Sequence, residues 1–174
     1  MKTGTYENYP LRMVAPTLLV QLAVYILGAY IVLQIGPVFL VIYLACILVL
    51  EYRLLRHSCV DCSYYGKVCC FGRGRLCAFL FGKGDPKKFP EKKIGWTDIL
   101  PDFLISIVPL LLGILLLVLR FDVLLLGAVV ALALLAFPAN GFIRGMWACR
   151  HCRQREAGCP AEKLFSRNRE GGAR

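Results

Sequence analysis

The 174-residue sequence predicts an all-α integral membrane protein. Four transmembrane helices are expected as two tandem helix-hairpin repeats, with both termini cytoplasmic and a cysteine-rich cytoplasmic cap. Three observations predict this. Two long apolar stretches are each interrupted once by a turn. Twenty of the twenty-one Lys and Arg residues fall in segments that four spans place on one side. A three-cysteine spacing occurs twice, each time after a helix pair. Composition agrees: 58% of residues are hydrophobic and 18% charged, where a soluble domain carries about a quarter charged residues. With a net charge of +10 and apolar residues in long runs, a disordered chain, a coiled coil and an ordinary soluble enzyme are excluded.

Residues 14–50 contain no charge. That is too long for one span of about 20 residues, and Gly36-Pro37 breaks it, because proline cannot continue a helix. Helices are therefore expected over 14–35 and 37–52. The first run exceeds the ~7–15 apolar residues of a signal peptide and no A-x-A site follows, so a cleaved leader is not expected. The second stretch, 99–142, is broken at Arg120-Phe121-Asp122 and gives helices over 99–119 and 123–143. Residues 53–93 hold ten cations and 144–174 hold eight, which the positive-inside rule assigns to the cytoplasm of an inner-membrane protein.

The repeat divides the chain into units 1–93 and 94–174. Cys59-x2-Cys62-x6-Cys69 recurs as Cys149-x2-Cys152-x6-Cys159, at an offset of 90. In the helices, Pro16, Gly28 and Val38 recur as Pro101, Gly113 and Val123 at an offset of 85. The second unit therefore carries extra residues near Pro138-Ala139-Asn140-Gly141. Both units begin on the same side, so an axis along the membrane normal relates them and both cysteine arms leave the same face.

Eight of the nine cysteines lie in the cytoplasmic segments, where a reducing compartment favours metal or thiol chemistry over disulfides. A C-x2-C turn presents two thiolates to one ion, and a third cysteine closes toward tetrahedral coordination. Candidate ligands are Cys59, Cys62, Cys69, Cys70, Cys77, Cys149, Cys152 and Cys159, with His57 and His151 as further candidates. Gly66 permits the tight return of the first arm, and Tyr64 and Tyr65 are expected either to donate hydrogen bonds to the sulfurs or to pack against the membrane surface. Zinc is the expected ion, with an iron–sulfur cluster as the alternative, since four thiolates suit both.

Three resemblances bear on this choice. The arm spacing is similar to that of fungal binuclear zinc-cluster domains. It covers six cysteines only and implies, as a geometric precedent, two ions shared between the halves. Cys159-Pro160 resembles the closing Cys-Pro of bacterial ferredoxins, which implies iron–sulfur chemistry. Vicinal Cys69-Cys70 look like the thiol pairs of bacterial mercury transporters, which implies a soft-metal relay. Only Cys46 lies within a span to continue such a relay.

The spans offer little else that ionises. Glu51 stands beside Arg53 at a helix end and Asp102 starts helix three, which argues against a pump or channel. Gly28, Gly113 and Gly127 are expected at close helix contacts, and Pro109 and Pro138 at kinks. Residues 76–81 form a short apolar run suited to the membrane interface. Lys83, Lys87, Lys88, Lys92 and Lys93 are expected to meet anionic lipid headgroups. No recognisable fold supports nucleic-acid binding, and no catalytic constellation supports an enzyme. The function expected is a multi-pass membrane protein with a thiolate metal site, acting as an interaction or accessory subunit beside other membrane or cytoplasmic subunits. The alternatives are iron–sulfur electron transfer and soft-metal transport.

Overall fold

Proline and glycine set the limits of the first helix pair. In the computed structural model, which describes residues 5–90, 96–143, 148–156 and 159 apart from the side chains of 96–99, 102 and 156, helix α1 spans Leu11–Leu33 and starts directly after Pro10. After the turn at Gly36, α2 (Pro37–Leu54) begins on Pro37, where a missing N–H costs nothing because that donor has no helical partner. The helix runs on through a π turn, Leu55–Cys59, closed by the Val60 N–H on the Leu55 carbonyl at 3.2 Å.

A short helix, α3 (Arg73–Leu80), and a 3₁₀ turn at Pro86–Lys88 follow. Helix α4 spans Trp96–Leu119. Asp122 caps α5 (Val123–Leu134), its carboxylate accepting the N–H groups of Leu124 at 2.7 Å and Leu125 at 3.3 Å. The fourth apolar segment then changes pitch: a π turn at Leu135–Ala139 leads into α6 (Asn140–Phe142). Pro138 has no N–H for the regular ladder, and the Asn140 N–H reaches back to the Leu135 carbonyl. A 3₁₀ turn at Cys149–His151 and helix α7 (Arg153–Glu156) carry the second arm.

Among the described residues, three helical segments are long and apolar enough to cross a membrane: Leu11–Leu33, Pro37–Cys59 and Val123–Phe142. The apolar part of α4 among the described residues is Phe103–Leu119. Val41, Leu48 and Leu124 are mostly exposed on these helices. So broad an apolar surface belongs against lipid, which indicates membrane localisation.

Helix α1 occupies the middle of the bundle and packs on α2, α4 and α5. One core joins Val24 and Ile31 of α1 to Leu125, Ala128, Val129 and Leu132 of α5; another joins Val32 to Tyr43 and Ile47 of α2 and Ile105 of α4. Two of the three expected contact glycines act as such. A Cβ on Gly28 would meet the Tyr43 phenol, and one on Gly113 would lie 2.5 Å from Val129 and 3.2 Å from Ile31. Gly127 differs: nothing lies within 4 Å, so it faces outward and makes no close approach. Beyond the helix ends, Arg120 donates to the Gln34 side-chain oxygen at 3.0 Å, so the two hairpin connections meet away from the cysteine arms.

Candidate metal centre

The first arm leaves α2 at Cys59 and is wound by two left-handed glycines, Gly66 (φ 75°) and Gly72 (φ 69°). The Gly66 N–H donates to the Gly74 carbonyl at 3.0 Å, and the Gly72 N–H to the Cys69 carbonyl at 3.0 Å. The arm thus folds over the first turn of α3 so tightly that a Cβ on Gly74 would run into the carbonyl oxygens of Tyr64 and Lys67. The return fixed by Gly66 is the one its sequence position suggested.

A buried ion pair closes the base of this loop. Arg73 forks onto Glu51, with Nε 2.8 Å from Oε2 and Nη2 on Oε1, while the Tyr25 hydroxyl donates to Oε1 at 2.6 Å. The pair is largely out of solvent, the two side chains being 14% and 25% exposed. Glu51 is therefore engaged by a partner 22 residues away in the chain as well as standing beside Arg53 in sequence. Thr17 fixes the far end of the arm to α1, its hydroxyl lying 2.5 Å from the Cys70 carbonyl.

The N-terminal segment straps the two arms together. Tyr6 forms a parallel bridge with Cys152 and donates its N–H to the His151 carbonyl at 3.3 Å. The Tyr9 N–H donates to Val68 at 2.9 Å, and its hydroxyl to the Ala148 carbonyl at 2.6 Å. The Tyr64 hydroxyl donates to the Tyr6 carbonyl at 2.6 Å and accepts the Arg153 N–H at 3.1 Å. Gln154 adds a direct link between the arms, its side-chain oxygen accepting from the Ser63 N–H at 2.9 Å and hydroxyl at 2.7 Å. Tyr64 and Tyr65 thus give their hydroxyl protons to backbone carbonyls, Tyr65 to Phe81 at 2.6 Å, and not to sulfur as the sequence suggested.

These links bring thiols of both arms to one place. Cys62, Cys69, Cys70 and Cys152 pack in a single cluster around Tyr9, Val14, Tyr64 and Ala148. Burial pushes the Cys152 thiol up to about 11, while the backbone N–H groups of Gln154 and Arg155 favour the thiolate. Burial likewise raises Cys62, against the Tyr64 N–H directed at its sulfur, and the neighbouring thiols Cys69, Cys159 and Cys77 raise it further. Burial and then Cys69 push Cys70 up to about 11. The second cysteine of each C-x2-C turn therefore receives an N–H from the residue two positions on.

The other candidates lie around this cluster. Cys59 ends the π turn, and Cys149 is exposed. Cys77 is fully buried in α3 with its sulfur 3.6 Å from the Leu55 carbonyl, a contact that ties α3 to the end of α2. His57 is exposed on the π turn, and the His151 ring lies 5.3 Å from that of Tyr6. Cys46 is exposed on α2, well apart in sequence from every other thiol. Lys87 and Lys88 are exposed on their 3₁₀ turn, while Lys92 and Lys93 lie outside the described residues.

The donor chemistry fits a thiophilic metal. The Gln154 Nε2 amide, buried and without an acceptor among the described residues, suits an anionic sulfur. The thiol positions fit less well: among the described residues, no three His, Cys, Asp or Glu side chains converge as a metal-binding group. Sequence reasoning missed Tyr6, Tyr9, Ser63, Gln154 and the Glu51–Arg73 pair. Their partners are far off in the chain, 139 residues for Tyr9 and 91 for Ser63, and no local pattern announces them.

No known family matches the chain, and no curated protein or solved structure matches it.

Proposed function

We propose that this chain is an inner-membrane protein whose two cysteine arms form a cytoplasmic thiolate metal site, with zinc as the ion, and that it acts as an interaction or accessory subunit. The observation that carries this reading is the packing of buried Cys70 with partly buried Cys62, Cys69 and Cys152, drawn from both arms, in one cluster. The ligands would come from Cys59, Cys62 and Cys69 of one arm and Cys149, Cys152 and Cys159 of the other. A bound cation would supply the positive charge that makes buried thiolates tolerable. The Tyr64 and Gln154 N–H groups and the Gln154 amide would stabilise the same sulfurs.

The tandem repeat belongs to this proposal. Support comes from Gly28 and Gly113 both standing at close helix contacts, and from the backbone N–H two positions on that favours the thiolate at both Cys62 and Cys152. The cytoplasmic side rests on the positive-inside rule. It is read with a membrane-impermeant maleimide at Lys87→Cys, on the exposed Pro86–Lys88 turn, which is expected to react in inverted vesicles and not in intact cells.

The deciding experiment is elemental analysis with an absorption spectrum on anaerobically purified protein. Colourless protein carrying stoichiometric zinc is expected, with the zinc lost in Cys62→Ser/Cys152→Ser while helical content is retained. Iron with acid-labile sulfide would replace this reading by electron transfer. Metal-free protein after metal-replete growth would overturn it.

A further inference from the structure

We propose that a basic cleft between the two arms is a binding site for a phosphate group at the membrane surface. The cleft has a volume of about 590 Å³ and is lined chiefly by Cys62, Ser63, Tyr65, Lys67, Lys83 and Arg153. That volume lies within the ~300–1,000 Å³ of ordinary small-ligand sites. The three cations come from three separate segments, and among the described residues no carboxylate lines the cleft. Lys67 also bonds Glu7 at 2.5 Å, on a side chain that is mostly in solvent.

The hydroxyls of the cleft are already committed. Ser63 donates to Gln154, and Tyr65 donates to the Phe81 carbonyl. Glu7 takes one Lys67 donor and also faces Arg153, so the donors left for a ligand are those of Lys83 and the remaining N–H groups of Lys67 and Arg153, which select negative charge over a neutral polyol. A guanidinium with two ammonium groups suits the tetrahedral oxygens of phosphate, which Arg can grip in a fork while Lys contributes point charge.

The surroundings give the site its place. The Tyr65–Phe81 bond ties one wall to the end of α3, on which Leu76, Phe79 and Leu80 are exposed, Phe79 at 86%. An apolar helix edge of this kind lies in the membrane interface, where lipid phosphates are found. The chemistry recognised is a phosphate anion, supplied by an anionic lipid headgroup or by free phosphate.

The test uses the full-length protein in neutral detergent. Phosphatidylglycerol retention is followed by native mass spectrometry, against net-neutral phosphatidylcholine, and inorganic phosphate binding by calorimetry. In Lys83→Ala/Arg153→Ala, affinity is expected to fall about 5-fold for each cation removed, roughly 25-fold in all. Arg75→Ala/Arg150→Ala, two exposed cations outside the lining, is expected to change it less than about 2-fold. Binding of phosphatidylglycerol alone assigns the site to lipid, and binding of both probes assigns it to the phosphate group itself. Binding of neither, or equal weakening in the two double variants, overturns the proposal. Should the alanine pair lose its helical content, Lys83→Gln replaces it, with a loss of about 5-fold expected.

Discussion

The Glu51–Arg73 pair should act as the latch of the first arm, and Arg73→Met tests it. The substitution keeps much of the side-chain volume but leaves Glu51 with the neutral Tyr25 hydroxyl in place of the fork. Breaking a fully buried pair costs ~3–5 kcal/mol. Here the two side chains keep 14% and 25% exposure and the Tyr25 bond survives, so a cost of ~2–3 kcal/mol is expected. The lost cation–π contact with Phe71, 5.9 Å from the guanidinium, falls within that range. The readout is Cys77, which is fully buried in α3 immediately after the latch and is labelled only when α3 lifts from the end of α2. Maleimide labelling resolved by peptide mass spectrometry should accelerate about 30- to 150-fold, the local-opening equivalent of that cost. Glu51→Gln/Arg73→Met, which removes both charges, should recover about half of the lost free energy, because the uncompensated carboxylate is gone. A rate change below about 3-fold in Arg73→Met, or no recovery in the double variant, would refute the latch.

Three further outcomes follow from the same geometry. Gly74→Ala should destabilise the first arm by more than ~2 kcal/mol despite alanine's better helix propensity, since its Cβ meets fixed carbonyls; Gly127→Ala, facing open space, should be neutral or stabilising by up to ~1 kcal/mol, and thermal unfolding in detergent compares the two. Asp122→Ala should cost about 1 kcal/mol by removing the cap from α5, seen as faster hydrogen exchange at Leu124 and Leu125. Gln154→Glu keeps the oxygen that accepts from Ser63 but replaces the buried amide donor, and should weaken zinc binding about 10- to 100-fold in competition with a chromophoric chelator; unchanged affinity would show that the amide does not serve the sulfurs.

The helices were legible because lipid imposes a length and an apolar surface that a single sequence displays directly. Gly36-Pro37 and the Arg120–Asp122 interruption mark the connections, and α1, α2, α4 and α5 fall there within a few residues. What escaped was pitch and chemistry at a distance. Pro138 announces a break, yet whether a proline bends a helix or widens one turn depends on which carbonyl the next free N–H can reach. Arg73 sits in a glycine-rich loop resembling any solvated cation, and only the fold brings it to Glu51. The cysteines were conspicuous by spacing. Their meeting place was not, because it is built by Tyr6 and Tyr9 from a segment with no cysteine at all.

The N-terminal strap and the Glu51–Arg73 latch hold different parts of the cap, and Tyr64→Phe distinguishes them. The Tyr64 hydroxyl is the node at which the strap, the first arm and the second arm meet, donating to Tyr6 and accepting from Arg153. Its removal leaves one carbonyl and one N–H without these partners. In this partly buried site that should cost about 2 kcal/mol, less than two fully buried orphans would. Because the contact lies on the cluster side of the arm and the Glu51–Arg73 latch on the α3 side, the cost should fall on the second arm. Hydrogen exchange across residues 148–156 should therefore quicken roughly 30-fold while Cys77 labelling stays within about 2-fold of the parent protein. Equal acceleration at both places would mean that the cap opens as one unit, with the latch and the strap sharing a single free energy. Opposite responses in Arg73→Met and Tyr64→Phe would mean that one arm can move while the other stays seated, which is the freedom a site assembled from both arms needs if its thiols are to converge on an ion.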